Sequence, residues 1–152
     1  MNMGNIPLEV KNIYVKRKFS NSEEFFEIIT AKLEKEGMIN EGYYDAITNR
    51  EKTYPTGLDT GQIKVAIPHT DCQFSNTTQL IVTTLEKPVK FKKMDDPDSE
   101  VNVSVIILIL FDNPNKQLEL LSEIMKIVKN QELLAGILKA NTPEEVYQLL
   151  NQ

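Results

Sequence analysis

A short apolar stretch near the middle of the chain ends abruptly at a proline, and the only histidine follows at once. The stretch runs from Lys64 to Ile67, the proline is Pro68 and the histidine is His69. Such a run is typical of a short buried strand, and Pro68 cannot donate a hydrogen bond to a continuing ladder. We therefore expect His69 at the carboxyl end of a strand, where α/β proteins place their ligand chemistry.

Strand and helix signals alternate along the rest of the chain. Asn21 and Glu24 form a capping pair for a first helix that Gly37 ends, and Thr142 with Pro143 opens the last helix. No repeat, linker or low-complexity tract divides the 152 residues, so the sequence predicts one α/β domain over 1–152. The predicted strands are 8–15, 64–67, 80–85, 89–91 and 101–111, and the predicted helices are 22–36, 41–49, 115–128, 133–138 and 143–150.

The apolar residues of these helices predict which faces pack on the core. Tyr44 and Ile47 are the expected contacts of the second helix, and Arg50 is expected just after its end. The first helix and the helix from Asn115 have longer apolar faces, predicted to be Phe25, Phe26, Ile28, Ile29 and Leu33, and Leu118, Leu121, Ile124, Met125 and Val128.

Composition and charge exclude several classes of protein. The net charge is −5, and the densest basic cluster, at 90–93, is followed by four acidic residues within 95–100. Nucleic acid binding needs a concentrated basic face, so nucleic acid is not expected as a partner. With Cys72 as the only cysteine and Val103–Phe111, which includes one Ser, as the longest apolar run, we expect a cytoplasmic chain without an internal disulfide or membrane insertion.

Residues near His69 allow several kinds of chemistry. The planar fork of Arg50 matches phosphate or carboxylate oxygens, although a helix-end cation is the plainer interpretation. Cys72 would need a base in the right place to act as a nucleophile, and a small apolar filler is the favoured interpretation. One histidine, one cysteine and Asp71 lack the ligand set of a zinc site, so no metal is expected. No Gly-rich phosphate loop is present, so no nucleotide cofactor is expected, and any phosphoryl group on His69 would come from a donor other than bound ATP.

Several motifs, in one order along nearly the whole chain, resemble a known family. Asn-Arg-Glu at 49–51, Tyr-Pro-Thr-Gly-Leu at 54–58 and Ala-Ile-Pro-His-Thr-Asp at 66–71 are similar to the IIA domains of the sugar phosphotransferase system, mannitol/fructose superfamily. Within that superfamily, the Tyr-Pro-Thr-Gly-Leu and Pro-His-Thr-Asp motifs are closest to the galactitol branch. The resemblance implies a mixed central sheet flanked by helices on both faces.

The resemblance also implies a phosphoryl relay and assigns its residues. His69 matches the phosphorylated histidine, which would accept a phosphoryl group from HPr and pass it to a cysteine of a IIB component that serves a membrane IIC component. Arg50 matches the arginine that neutralises phosphoryl oxygens. Thr70 stands where the mannitol and fructose branch has a small residue, and Gln117 stands where that branch has a second histidine. Gln117 can still donate a hydrogen bond to a phosphoryl oxygen, but it cannot carry charge.

Other functions remain open at this point. One alternative is a regulatory IIA-like protein that acts by phosphorylation-dependent binding, and another is a ligand-binding module in which a buried His69 has both nitrogens hydrogen-bonded. The sequence does not name the sugar. Since HPr presents a basic rim, carboxylates are expected to meet it, with Asp71 and Asp112 as candidates.

Overall fold

The computed structural model describes residues 6–151. Within that range, one strand, two helices and four strands precede three consecutive helices. In chain order the elements are β1 Ile13–Arg17, α1 Ser22–Lys35, α2 Tyr43–Thr53, β2 Gly57–Leu58, β3 Lys64–Ala66, β4 Gln79–Lys92, β5 Glu100–Leu110, α3 Gln117–Lys129, α4 Gln131–Lys139 and α5 Pro143–Leu150.

The strands form one mixed sheet in the order β1-β4-β5-β3-β2. β1 runs parallel to β4 and β3 runs parallel to β5, whereas β4 pairs antiparallel with β5 and β2 pairs antiparallel with β3. The carboxyl ends of β3 and β5 therefore lie at the same edge of the sheet as the amino end of β4. The mixed sheet confirms the predicted fold class.

Two hydrophobic cores cover the two faces of the sheet. Along β5, Val105 and Ile107 belong to the core with α3, α4 and α5, while Ile106 and Leu108 belong to the core with α1 and α2. A strand buried on both faces needs apolar residues at successive positions, which explains the unbroken apolar run of β5 from Val105 to Leu110. The prediction of helices on both faces is confirmed.

The ends of the helices follow from local sequence as predicted. Asn21 Oδ1 accepts a hydrogen bond from the N–H of Glu24 at 2.8 Å, and Gly37, with φ of 76°, terminates α1 two residues after Lys35. There the N–H of Met38 donates to the carbonyl of Leu33, the pattern that a left-handed glycine allows at a helix end. At α5, Thr142 Oγ1 accepts from the N–H of Glu145 at 3.2 Å.

Two strand predictions are wrong. The first strand begins at Ile13 rather than residue 8, because Val10–Asn12 forms a 3-10 turn, and it continues to Arg17. The segments predicted at 80–85 and 89–91 are one strand, β4, whose pairing with β5 shifts register between Thr84 and Val89. An irregularity in pairing, not a loop, lies at the predicted break.

The predicted helix faces are wrong at three positions. Tyr44 is 39% exposed and Tyr43 is fully buried, because the face centred on Ile47 includes the residue four positions before it. Ile28 is 53% exposed and Leu118 is 83% exposed, and Leu120 takes the buried place in the first turn of α3. α2 also continues to Thr53, so Arg50 lies inside its last turns rather than after its end.

Candidate functional site

Backbone hydrogen bonds to two neighbouring segments fix the residues just before His69. The N–H of Ile67 donates to the carbonyl of Thr56 at 3.2 Å, and the N–H of Ile109 donates to the carbonyl of Pro68 at 3.0 Å. Pro68 has no N–H to donate, but its carbonyl still accepts a hydrogen bond from β5. His69 therefore lies at the carboxyl end of β3, as the sequence predicted, with its preceding backbone fixed.

The two ring nitrogens of His69 have different environments. Nδ1 lies 2.8 Å from the carbonyl oxygen of Ile67, and Nε2 has no hydrogen-bond partner within residues 6–151. A carbonyl can only accept, so in the neutral ring the proton resides on Nδ1 and the lone pair on Nε2. The ring also packs edge-on against Phe111, with centroids 6.0 Å apart, and the residue is 8% exposed. Burial alone would suit a structural histidine, but only one of its nitrogens is paired.

Burial and a nearby cation keep the His69 ring neutral. Desolvation is the largest cause that lowers its pKa below the usual 6.5, and the charge of Arg50 lowers it further, while the bond to Ile67 opposes both. At pH 7 the ring is therefore uncharged and carries a free lone pair on Nε2.

Arg50 points a guanidinium without an anionic partner into a groove next to His69. Its Nε is buried without a hydrogen-bond partner, and within residues 6–151 Arg50 makes no ion pair. The guanidinium carbon lies 5.4 Å from the ring centroid of Tyr54, which is 64% exposed. A solvated helix-end cation would not bury a donor, so this geometry favours a site for an anion.

The groove holds about 310 Å³ and brings two of the predicted site residues together. Arg50 and Tyr54 line it from one side, and Thr70 and Asp71 line it from the loop after His69. Thr70 is 7% exposed. Gln117, the first residue of α3, is half-buried and stands apart from the lining of this groove, and its side chain makes no hydrogen bond among the described residues. Its role toward a phosphoryl group stays a prediction.

The other candidates near the site have separate surroundings. Cys72 is a free, half-buried thiol at the start of a 3-10 turn. The carboxylate of Asp112 accepts from the hydroxyl of Thr78 at 2.7 Å, which is the main cause of its lowered pKa, and lies 3.7 Å from Lys116. Residues 6–151 contain no cluster of three or more potential metal ligands, and no helix in that range is long and apolar enough to cross a membrane.

Glu51 lies near the site and has no role in the predictions made from sequence. Its carboxylate accepts from the backbone N–H of Thr56 at 2.8 Å and from the Thr56 hydroxyl at 2.9 Å. Burial raises the pKa of Glu51 to about 7, although the bonds from Thr56 and the charge of Arg50 lower it. The Arg-Glu and Pro-Thr-Gly-Leu motifs were both visible in sequence, but their contact depends on how the loop between them closes.

Comparison with known proteins identifies the family. Residues 7–152 match the family described as "Phosphoenolpyruvate-dependent sugar phosphotransferase system, EIIA 2". The chain belongs to this family. The EIIA 2 protein is therefore a phosphotransferase component, as the resemblance in sequence implied.

Individual relatives of this EIIA 2 protein agree with that membership. The galactitol-specific EIIA component of Escherichia coli K12 is 29% identical over 112 residues, which cover 72% of this chain and 74% of the relative. Among solved structures, IIA mannitol from Escherichia coli has a TM-score of 0.77 at 22% identity, with 95% of this chain and 99% of that chain covered.

Two further structures share the fold. The same mannitol IIA protein, in a complex with phosphorylated enzyme IIB, has a TM-score of 0.76 at 21% identity and covers 95% of this chain and 97% of that chain. Nitrogen regulatory protein IIA-Ntr from Neisseria meningitidis has a TM-score of 0.74 at 24% identity. The match covers 97% of this chain and 98% of that chain. Proteins of this fold therefore include one found with a IIB enzyme and one named for regulation.

Proposed function

We propose that this EIIA 2 protein is a phosphocarrier whose His69 accepts a phosphoryl group from the phosphohistidine of HPr and passes it to the cysteine of a IIB component. The observation that carries the proposal is the hydrogen bond from His69 Nδ1 to the Ile67 carbonyl, because it leaves Nε2 as the unpaired nucleophile. Family membership supports the same role, as does the buried Nε of Arg50, which has no hydrogen-bond partner among the described residues.

The proposed transfer needs no general base. The lone pair of Nε2 forms a bond to phosphorus while the bond from phosphorus to the donor imidazole nitrogen breaks, and that nitrogen leaves with the electron pair. No proton has to depart from Nε2, and the ring retains its proton on Nδ1, where the Ile67 carbonyl stabilises the positive charge that the ring gains. In the second transfer, a thiolate sulfur attacks phosphorus and Nε2 recovers its lone pair.

Arg50 and Thr70 supply the surroundings of the phosphoryl group in this proposal. The fork of Arg50 is free to bind two phosphoryl oxygens, and such charge-assisted pairs are the strong class of hydrogen bond. Thr70 lines the same groove and offers a hydroxyl donor. Gln117 is proposed as a further neutral donor at the start of α3.

We propose galactitol or a similar polyol as the sugar, served by IIB and membrane IIC components, with the EIIA 2 chain acting in the cytoplasm as one domain over 1–152. The similarity to a galactitol-specific EIIA component supports the sugar class, and the mannitol IIA fold seen with phosphorylated IIB supports the partner. The regulatory alternative has its support in the nitrogen regulatory neighbour.

The experiment that tests the acceptor uses untagged protein with enzyme I, HPr and labelled phosphoenolpyruvate. We expect one acid-labile, base-stable phosphate per chain, and we expect His69→Gln to abolish it. Cys72→Ser is the matched control three residues away and should label normally. Labelling of the His69→Gln protein would refute the assignment.

A second stage separates the carrier from the regulatory alternative. The phosphorylated protein is mixed with purified galactitol-type IIB protein, and transfer to the IIB cysteine is followed as loss of label from the EIIA 2 chain. Rapid transfer that depends on the IIB cysteine supports the carrier. Stable label on His69 in the presence of several sugar-specific IIB proteins would favour regulation.

A further inference from the structure

Glu51 fixes the position of Thr56 within the protein interior. Oε1 of Glu51 accepts from the Thr56 N–H at 2.8 Å, and the Thr56 hydroxyl lies 2.9 and 3.0 Å from the two carboxylate oxygens. Thr56 is 2% exposed, so water does not compete for these donors. Hydrogen bonds of this kind hold their partners firmly because leaving either donor unpaired is costly.

The same line of hydrogen bonds continues from Thr56 to the His69 ring. The Thr56 carbonyl accepts from the N–H of Ile67 at 3.2 Å, and the Ile67 carbonyl accepts from His69 Nδ1 at 2.8 Å. Each bond restricts the peptide that makes the next one. The carboxylate of Glu51 is thus joined to the imidazole through two backbone segments.

Glu51 and Arg50 are neighbours in α2 but face different sides of it. Arg50 lines the groove that contains Thr70, whereas Glu51 borders a separate hollow of about 330 Å³ together with Lys52 and Lys92. The bond from Glu51 to Thr56 therefore ties the helix that carries Arg50 to the loop beside the strand that carries His69.

We propose that Glu51 is a positioning residue of the relay: through Thr56 and Ile67 it fixes the orientation of the His69 ring and its distance from Arg50. This proposal rests on the proposed function of His69. Glu51 acts through the backbone and not through its charge, since the influences on the pKa of His69 are burial, Ile67 and Arg50.

The test compares two substitutions of Glu51 with a matched control on the same helix. Glu51→Ala removes both acceptors, whereas Glu51→Gln keeps a carbonyl for the Thr56 N–H and offers its amide to the hydroxyl. Asp45→Ala removes an exposed carboxylate from α2. Because the chain has one histidine, the ¹⁵N spectrum of histidine-labelled, untagged protein reports the His69 tautomer without overlap.

We expect Glu51→Ala to slow transfer from HPr by about 10- to 100-fold, the range that small misplacements of reacting groups produce. Its two imidazole nitrogen shifts should converge as the preference for the Nδ1 proton weakens. Glu51→Gln and Asp45→Ala should keep the wild-type spectrum and a rate close to wild type. If the contact between Glu51 and Thr56 served stability alone, Glu51→Ala would lower the free energy of unfolding and leave the ¹⁵N spectrum of His69 unchanged.

Folded Glu51→Ala protein with the wild-type spectrum and rate would overturn the proposal. If that variant does not fold, Glu51→Asp, whose shorter side chain draws its oxygens back from Thr56, replaces it, and a wild-type spectrum and rate would have the same force. The spectrum is recorded without phosphate, so it decides the positioning role even if wild-type protein fails to label at His69.

Discussion

Replacing Glu51 by glutamine should make the protein more stable at neutral and alkaline pH. The carboxyl group is buried, and its pKa rises from 4.5 to about 7 on folding. Each pKa unit is worth about 1.4 kcal/mol, so ionising Glu51 in the folded protein costs about 3 kcal/mol. Because the folded-state pKa is raised, the corresponding stability is present below pH 4.5 and is lost as the pH rises through about 7. Glutamine keeps the bonds to Thr56 without this cost.

The measurement is urea unfolding followed by far-UV circular dichroism from pH 4.5 to 8.5. The free energy of unfolding of Glu51→Gln minus that of wild type should rise by about 3 kcal/mol over this range, or roughly 6–12 °C in Tm for a chain of this size. His69 and Asp112 titrate in both proteins and cancel in the difference. A flat difference for Glu51→Gln would refute the reasoning about burial.

Three further predictions concern Arg50, the His69 ring and the partner surface. Arg50→Ala should slow phosphoryl transfer, and Arg50→Lys should restore only part of the rate, since lysine lacks the planar fork. Wild-type rates in both folded variants would show that Arg50 is not part of the site. In the ¹⁵N spectrum, the midpoint of His69 titration should lie below pH 6.5 and should move upward, but stay below 6.5, in Arg50→Ala, because burial is the larger cause of the lowered pKa. Transfer from HPr at sub-saturating concentration should slow as added salt shortens the Debye length from about 10 to about 3 Å, and a rate that does not change with salt would exclude electrostatic steering.

Sequence predicted the features that depend on neighbours a few residues apart. The caps at Asn21 and Thr142 need only a side chain and an N–H three residues later. The place of His69 followed from Pro68, which removes a donor wherever the chain folds. These features are fixed by covalent geometry and short-range hydrogen bonding.

Features that depend on distant partners could not be predicted in the same way. Tyr43 and Tyr44 have the same side chain. Which of the two is buried therefore depends on how α2 packs against the sheet. The single long β4 depends on a shift of pairing with β5. Likewise, the hydrogen bond between Glu51 and Thr56 forms only because the loop after α2 brings Thr56 back beside that helix. The tautomer of His69 depends on the orientation of the Ile67 carbonyl.

The proline before His69 has a consequence for how partners associate with this chain. Since the Pro68 carbonyl is held by β5 and the Ile67 N–H is held by Thr56, the segment before the histidine is ordered before any partner arrives. In the proposed function, the carrier therefore loses little conformational entropy on binding each of its two partners. A small interface then suffices for each complex, because little ordering has to be offset.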